Sequence, residues 1–259
     1  MADAFPFQSA LVTGASSGIG EAMVELLAAE NIPTVVVARR RDRLDELAAR
    51  HSCVTVLAAD LTSSDGLRNV VERVEDDANP IDLVVNNAGF GTSGAFFELD
   101  ADRLDNEVQL NVAALTRISR AALGAMVPRG RGYLLNVSSV ASFQAAPRLA
   151  VYAATKAYVT SLTEALHEEV RGTGVHVTAL CPGLTRTEFQ SVSSTENLVS
   201  AYPSFAWMEA DAVARIGLDD VAKGKTLSIP GGLYKGLVAT TGFLPRSFVR
   251  RAASVVQRR

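Results

Sequence analysis

An apolar run at 10–12 passes directly into TGASSGIG at 13–20, and EAMVELLAAE follows with Ala22, Met23, Leu26 and Leu27 at helical spacing. This order of strand, glycine turn and helix constrains the chain more than any other feature. A strand can turn at once into a helix only where residues lacking a Cβ accept the backbone required. Gly14 allows the tight turn, Gly18 lets backbone N–H groups approach a bound anion, and Gly20 lets helix and strand pack closely. Ser16, Ser17 and Ile19 fill the positions between them. The spacing is G-x-x-x-G-x-G, not the commoner G-x-G-x-x-G.

Short apolar runs continue at 34–38, 54–58, 83–86, 133–137, 176–180 and 227–229, separated by amphipathic segments. Seven strands alternating with helices predict an α/β fold, a doubly wound and mostly parallel sheet covered on both faces. The 259 residues suffice for one such domain, and no internal repeat or linker divides them. We expect a single domain over 1–242, with a flap near 188–210 and a separate tail at 243–259. Cys53 and Cys181 each lie in or beside a strand, which argues against a disulfide framework and fits a reducing compartment. His51, His167 and His176 stand singly without ligand spacing, so no metal site is expected. MADAFPFQ has no basic region and no apolar run approaches 18 residues, from which a cytoplasmic location is expected.

The second strand ends in Ala38, Arg39, Arg40 and Arg41, with no acid before Asp42. A site for NAD would place Asp or Glu there, roughly 20 residues past the glycines, to accept from the ribose 2′-OH. Ala38 holds that place instead. A guanidinium is suited to bidentate contact with a phosphate, so Arg39 and Arg40 favour NADP(H) over NAD(H).

Tyr152 and Lys156 stand four residues apart in YAATK, and Ser139 lies thirteen residues before the tyrosine in NVSSVAS. On a helix, Tyr152 and Lys156 share a face. A phenol titrating near about 10 must lose roughly three units, about 4 kcal/mol, to work near neutrality. A lysine charge at about 5 Å and an effective dielectric of about 20 would supply about 3 kcal/mol of that.

TGASSGIG, NNAG at 86–89, Asn111 in LNV, Ser139, YAATK and PGLTRT at 182–187, taken in order, resemble a short-chain dehydrogenase/reductase of the single-domain classical branch. The resemblance spans about 8–235. It implies a Rossmann-like sheet with strand order 3-2-1-4-5-6-7 and the cofactor across the strand C-terminal edge. It also implies roles. Asp60 and Leu61 would meet the adenine, and Asn87, Ala88 and Gly89 would lie beside the cofactor. Asn111 would hold a relay water for Lys156, Ser139 would bind the substrate oxygen, and Tyr152 would be the general acid or base. Lys156 would also grip the nicotinamide ribose. Pro182, Gly183, Thr185 and Thr187 would border nicotinamide and phosphates. Ser138 has the wrong interval for the role of Ser139. Ser142 departs from the glycine often found at its position. The family further implies homodimers or homotetramers built on long helices at 101–126 and 151–173.

The flap carries Phe189, Leu198, Tyr202, Phe205, Trp207 and Met208, residues that serve either a hydrophobic substrate or packing on the chain itself. Segments 90–97 and 147–151 would complete the rim. From 221 to the end there are eight Lys and Arg and no acid, a charge of +8 against −11 for the remainder. The tail PRSFVRRAASVVQRR reads as a basic amphipathic helix, able to lie on an anionic membrane surface or dock on a partner. Without interleaved aromatics or a reading motif it does not indicate nucleic acid. The expected function is hydride transfer between NADP(H) and a carbonyl or secondary alcohol of an apolar small molecule. The alternative is a catalytically silent nucleotide sensor that uses its tail for partner contact. Such a binder would not need Asn111, Ser139, Tyr152 and Lys156 together.

Overall fold

Alternation along each strand decides which layer a residue joins, and that alternation builds two cores. In β1 (Ala10–Thr13), Ala10 and Val12 face one layer while Leu11 faces the other. β2 (Thr34–Ala38), β4 (Leu83–Asn86), β5 (Gly132–Val137) and β6 (Val175–Leu180) divide in the same way. In this computed structural model, which describes residues 4–195 and 202–243, the sheet has seven parallel strands. Their spatial order is β3-β2-β1-β4-β5-β6-β9, where β3 is Val54–Ala58 and β9 is Leu227–Ser228. This is the expected order, with the reversal point between β1 and β4.

On one face, α1 (Gly18–Ala29) supplies Met23 and Leu27, α2 (Arg41–Arg50) supplies Leu44 and Leu47, and α8 (Ala210–Ala222) supplies Val213 and Leu218. On the other, α3 (Ser64–Val74) brings Val70 and Val74 and α5 (Leu115–Arg129) brings Ile118 and Met126. Each such side chain, fully buried, contributes about 1.5–3 kcal/mol. The long helix α6 (Ala150–Glu169) packs against β6.

Three local features depart from the sequence expectation. The helix foreseen over 101–126 is broken into α4 (Ala101–Val108), a π-helical turn at Gln109–Ala114 and α5, which runs on to Arg129. The extra residue per turn re-aims Asn111, and Gly130 in the left-handed region ends the run. α6 stops at Glu169, short of 173, and the chain turns through Gly172 and Gly174, both at positive φ. The flap is structured in part: β7 (Thr185–Arg186) pairs in parallel with β8 (Met208–Glu209), and α7 (Phe189–Val192) lies between them in sequence. The last described helix, α9 (Gly232–Phe243), reaches the end of the described residues, so the basic tail lies outside them, as does Leu198.

Candidate active site

The glycine turn is fixed from below by one hydroxyl. Thr13 Oγ1 donates to Val85 O at 3.2 Å and accepts from the backbone N–H of Asn87 and Ala88 at 3.0 and 3.1 Å. Asn87 returns its amide to Thr13 O at 2.9 Å and Gly14 O at 3.2 Å. Gly14 (φ 67°) and Gly18 (φ 61°) lie in the left-handed region, where a side chain would be strained. A Cβ on Gly18 would stand 3.0 Å from the Thr187 side chain, so 182–187 closes over the turn. Ser17 caps α1 in extended backbone without a side-chain capping bond, and Ile19 packs on the core beneath. These features, open N–H groups beneath a small hydroxyl lip, fit the phosphates of a dinucleotide.

Arg39 and Arg40 point to different tasks. Arg40 donates to Ser16 Oγ at 3.2 and 3.0 Å and to Ser16 O at 3.1 Å, and pairs with Glu188 Oε2 at 2.8 Å. Its hydrogen bond, with help from the Ser17 hydroxyl, holds Glu188 below the usual carboxylate value. Arg39 is exposed beside Asp60. Burial pushes Asp60 up, but the Thr62 N–H (2.9 Å), the Thr62 hydroxyl (2.7 Å) and the Arg39 charge together hold it below its ordinary value. Leu61 is buried next to it.

Tyr152 and Lys156 rise from the first turns of α6. Lys156 Nζ lies 5.8 Å from the Tyr152 ring centroid and donates to Val137 O at 2.8 Å. Ser139 caps the 3-10 turn Val140–Phe143, accepts from Ala141 N at 3.1 Å and stands beside the Tyr152 hydroxyl. Ser138 is turned inward, donating to Lys156 O at 2.8 Å and sharing a 2.7 Å bond with Thr160. The neighbouring serines therefore divide into one that faces the phenol and one that anchors the lysine's helix. Asn111, 1% exposed, exchanges bonds with Phe90 N (3.2 Å) and O (2.8 Å) and donates to Thr155 Oγ1 at 3.1 Å. A Cβ on Gly89 would stand 2.9 Å from Asn111 Oδ1 and 3.4 Å from Lys156 Nζ, which brings all three to one spot.

The expected depression of the phenol is absent from the bare chain. Burial pushes Tyr152 up to about 12, although the Ser139 hydroxyl draws it the other way. Burial also pushes Lys156 down to about 8 against the pull of Cys181 and Glu107. Desolvation of two groups that share an interior outweighs their mutual attraction, and the ammonium is directed at a carbonyl. The phenol therefore carries its proton at neutral pH, and release of that proton calls for stabilisation of the phenolate.

The flap residues divide as well. Phe189 lies against Tyr152, ring centroids 5.3 Å apart, and Gly91 covers the same phenol. Trp207 packs into the protein under Arg186 and Met208 joins β8, while Phe205 is 78% exposed. Phe96 and Phe97 stand exposed in segment 90–97, and Gly94 N bonds Arg148 O at 2.9 Å, joining that segment to 147–151. Pro182 O accepts from Val140 N, Thr185 is buried with its hydroxyl on Gly183 O, and Gly183 lies flat against the Tyr234 ring. Ser142 buries a hydroxyl with no partner among the described residues. Each histidine is tied to local structure: His51 to Glu25, His167 to Val177 O and His176 to Val221 O. Among the described residues there is no cluster able to hold a metal.

Motif reading did not single out Thr13, Thr155, Glu188 or Glu107. The first three are small or common residues whose partners are distant in sequence. Glu107, one helical turn before Asn111, carried a positional signal but none of its burial.

Comparison with known proteins agrees with this geometry. The family model described as short chain dehydrogenase matches residues 8–197. An uncharacterized oxidoreductase of Staphylococcus epidermidis is 34% identical over 179 residues, covering 69% of this chain and 78% of that protein. A short-chain dehydrogenase from Sphingobium yanoikuyae, solved in complex with NADPH, superposes with a TM-score of 0.80 at 32% identity, covering 92% and 97% of the two chains. The bulky-bulky ketone specific alcohol dehydrogenase of Comamonas testosteroni gives 0.76 at 31%, covering 93% and 96%. With its sheet order, its glycine turn and its Ser, Tyr and Lys brought to one cleft, the chain belongs to the short-chain dehydrogenase/reductase family of oxidoreductases.

Proposed function

We propose that the enzyme reduces a carbonyl of an apolar small molecule, and oxidises the corresponding secondary alcohol, with a preference for NADP(H). The observation that carries this reading is a convergence: Lys156 Nζ 5.8 Å from the Tyr152 ring centroid, Ser139 beside the phenol, and Phe189 and Gly91 packed on its ring. When bound, the nicotinamide supplies the hydride. Ser139 orients the carbonyl oxygen, Tyr152 delivers its proton there, and Lys156 stabilises the phenolate left behind. Asn111 holds the loop that carries Gly89 and Phe90 against Lys156. Arg39 receives the 2′-phosphate, and Asp60 and Leu61 border the adenine. The similarity to an alcohol dehydrogenase specific for bulky-bulky ketones supports the choice of an apolar ketone, as does the Phe189 ring packed on Tyr152.

We further infer a homo-oligomer and a contact of the basic tail with anionic lipid. No helix among the described residues is long and apolar enough to cross a membrane, so such contact would be peripheral.

The reading is tested with straight-chain, cyclic and aryl ketones and NADPH, with Tyr152→Phe alongside. Turnover of the larger ketones is expected, with at least about 10³-fold loss in Tyr152→Phe, in the range ascribed to acid–base catalysis, and NADPH binding retained. Full turnover in the variant would overturn the assignment.

A further inference from the structure

The proposed chemistry makes no use of Glu107, yet the side chain is 0% exposed and neither carboxylate oxygen has a hydrogen-bond partner among the described residues. It lies in the last turn of α4, four residues before Asn111, and α4 packs on α6. The Thr92 hydroxyl beside it is buried too, facing the carboxyl without closing a regular bond. A buried carboxylate is normally paired or hydrogen-bonded, so one left bare calls for a reason.

Its charged surroundings supply one. Arg103, one turn earlier on α4, is committed to Val192 O at 2.6 Å and to the Phe90 ring at 5.2 Å. The helix that α4 packs on, α6, carries Tyr152 and Lys156, and the Cys181 thiol just past β6 acts on the same two residues. Burial raises Glu107 above the usual carboxylate range, while Thr92, Arg103 and Lys156 draw it back. In return its negative charge raises both Lys156 and Tyr152.

We propose that Glu107 is a positioning residue: a buried, unpartnered carboxylate one turn ahead of Asn111, on the helix packed against α6, that keeps Lys156 an ammonium and so sets the resting site to protonate a carbonyl. The inference rests on the reading of Tyr152 as the acid. Its value to the enzyme follows from where Lys156 stands. Burial brings that amine down to about 8 even with Cys181 and Glu107 drawing it up, so loss of the Glu107 charge lowers it further toward neutrality. Reduction needs the Lys156 ammonium in place to stabilise the phenolate that Tyr152 leaves behind.

The test uses Glu107→Gln, with Glu107→Leu to fill the same space if the amide folds poorly. The chain has only four lysines, so the cofactor-free protein labelled at lysine Cε gives a resolvable NMR titration in which Lys156→Arg identifies the resonance. The Lys156 midpoint is expected near about 8 in the parent chain and about one unit lower in the Glu107 variants, the size of a charge effect at roughly 10 Å and an effective dielectric of about 20. In the second arm, the alkaline limb of NADPH-dependent aryl ketone reduction moves down by about the same one unit. Unchanged midpoint and limb in both variants overturn the proposal, as does a limb that stays while the midpoint moves. If Tyr152→Phe retains turnover, the assignment of the acid fails, and the cofactor-free titration still reads the hold of Glu107 on Lys156.

Discussion

At the scale of single residues, the site separates groups that hold charge from groups that wait for it. Lys156 is 4% exposed and its ammonium is already directed at Val137 O, so the chain commits it before any ligand arrives. Arg39 is exposed at the end of β2, with Ala38 where an acid would repel a phosphate. A charge-assisted bond of this type contributes about 1.5–3 kcal/mol. Arg39→Asp should therefore lower the NADPH-to-NADH ratio of kcat/KM by about 10- to 100-fold, measured with one ketone and both cofactors. A ratio that stays put would remove the 2′-phosphate from this residue. The motif spacings named this arginine, and they named Ser139 over its neighbour, because covalent intervals survive folding. They could not anticipate a phenol pushed up to about 12, because desolvation depends on what the rest of the chain packs around it.

At the scale of elements, the glycine turn, the end of β2 and the start of the flap meet through Arg40, which clasps Ser16 on one side and Glu188 on the other. Both partners of that ion pair are more than 40% exposed, so the contact is worth at most about 1 kcal/mol. It nonetheless places an anion against Arg40 and the Ser17 hydroxyl, where cofactor phosphates would compete for the same donors. Glu188→Gln should accordingly tighten NADPH by up to about 5-fold, read by fluorescence titration, and leave thermal stability nearly unchanged. Weaker binding in this variant would show that the clasp organises the turn for cofactor. Nothing in the sequence could pair residues 148 positions apart. The π turn at Gln109–Ala114 was equally hidden, since its residues are ordinary helix formers and the widened turn comes from packing Asn111 against Phe90 and Thr155. The seven strands of the main sheet, by contrast, were legible almost to the residue as short apolar runs, whereas the two-residue strands β7 and β8 are too short to leave a pattern.

At the scale of the whole molecule, charge is the property that the motifs leave unexplained. A net −3 conceals a C-terminal part, from 221 onward, that carries +8 and no acid. The described portion of that part ends in α9, which is anchored by the Tyr234 hydroxyl on Ala206 O at 2.6 Å and on Leu184 N at 2.9 Å. That anchor fixes the helix against the segment after β6 and the turn Val140–Phe143, while Leu233 and Leu237, one turn apart, stay exposed. A basic tail leaving from such a helix would bring an apolar substrate's entrance toward the phase where that substrate dissolves. Five arginines follow Gly242, and near an anionic leaflet each contributes about 1 kcal/mol, screened within a Debye length of roughly 10 Å at 0.1 M salt. The full chain should sediment with phosphatidylserine vesicles at low salt, release as salt rises, and ignore neutral phosphatidylcholine. A chain ending at Gly242 should stay in the supernatant in every case while keeping the oxidoreductase activity of the full chain. Equal sedimentation of the two chains would mean that the tail does not contact lipid, and that its charge serves a protein partner or none.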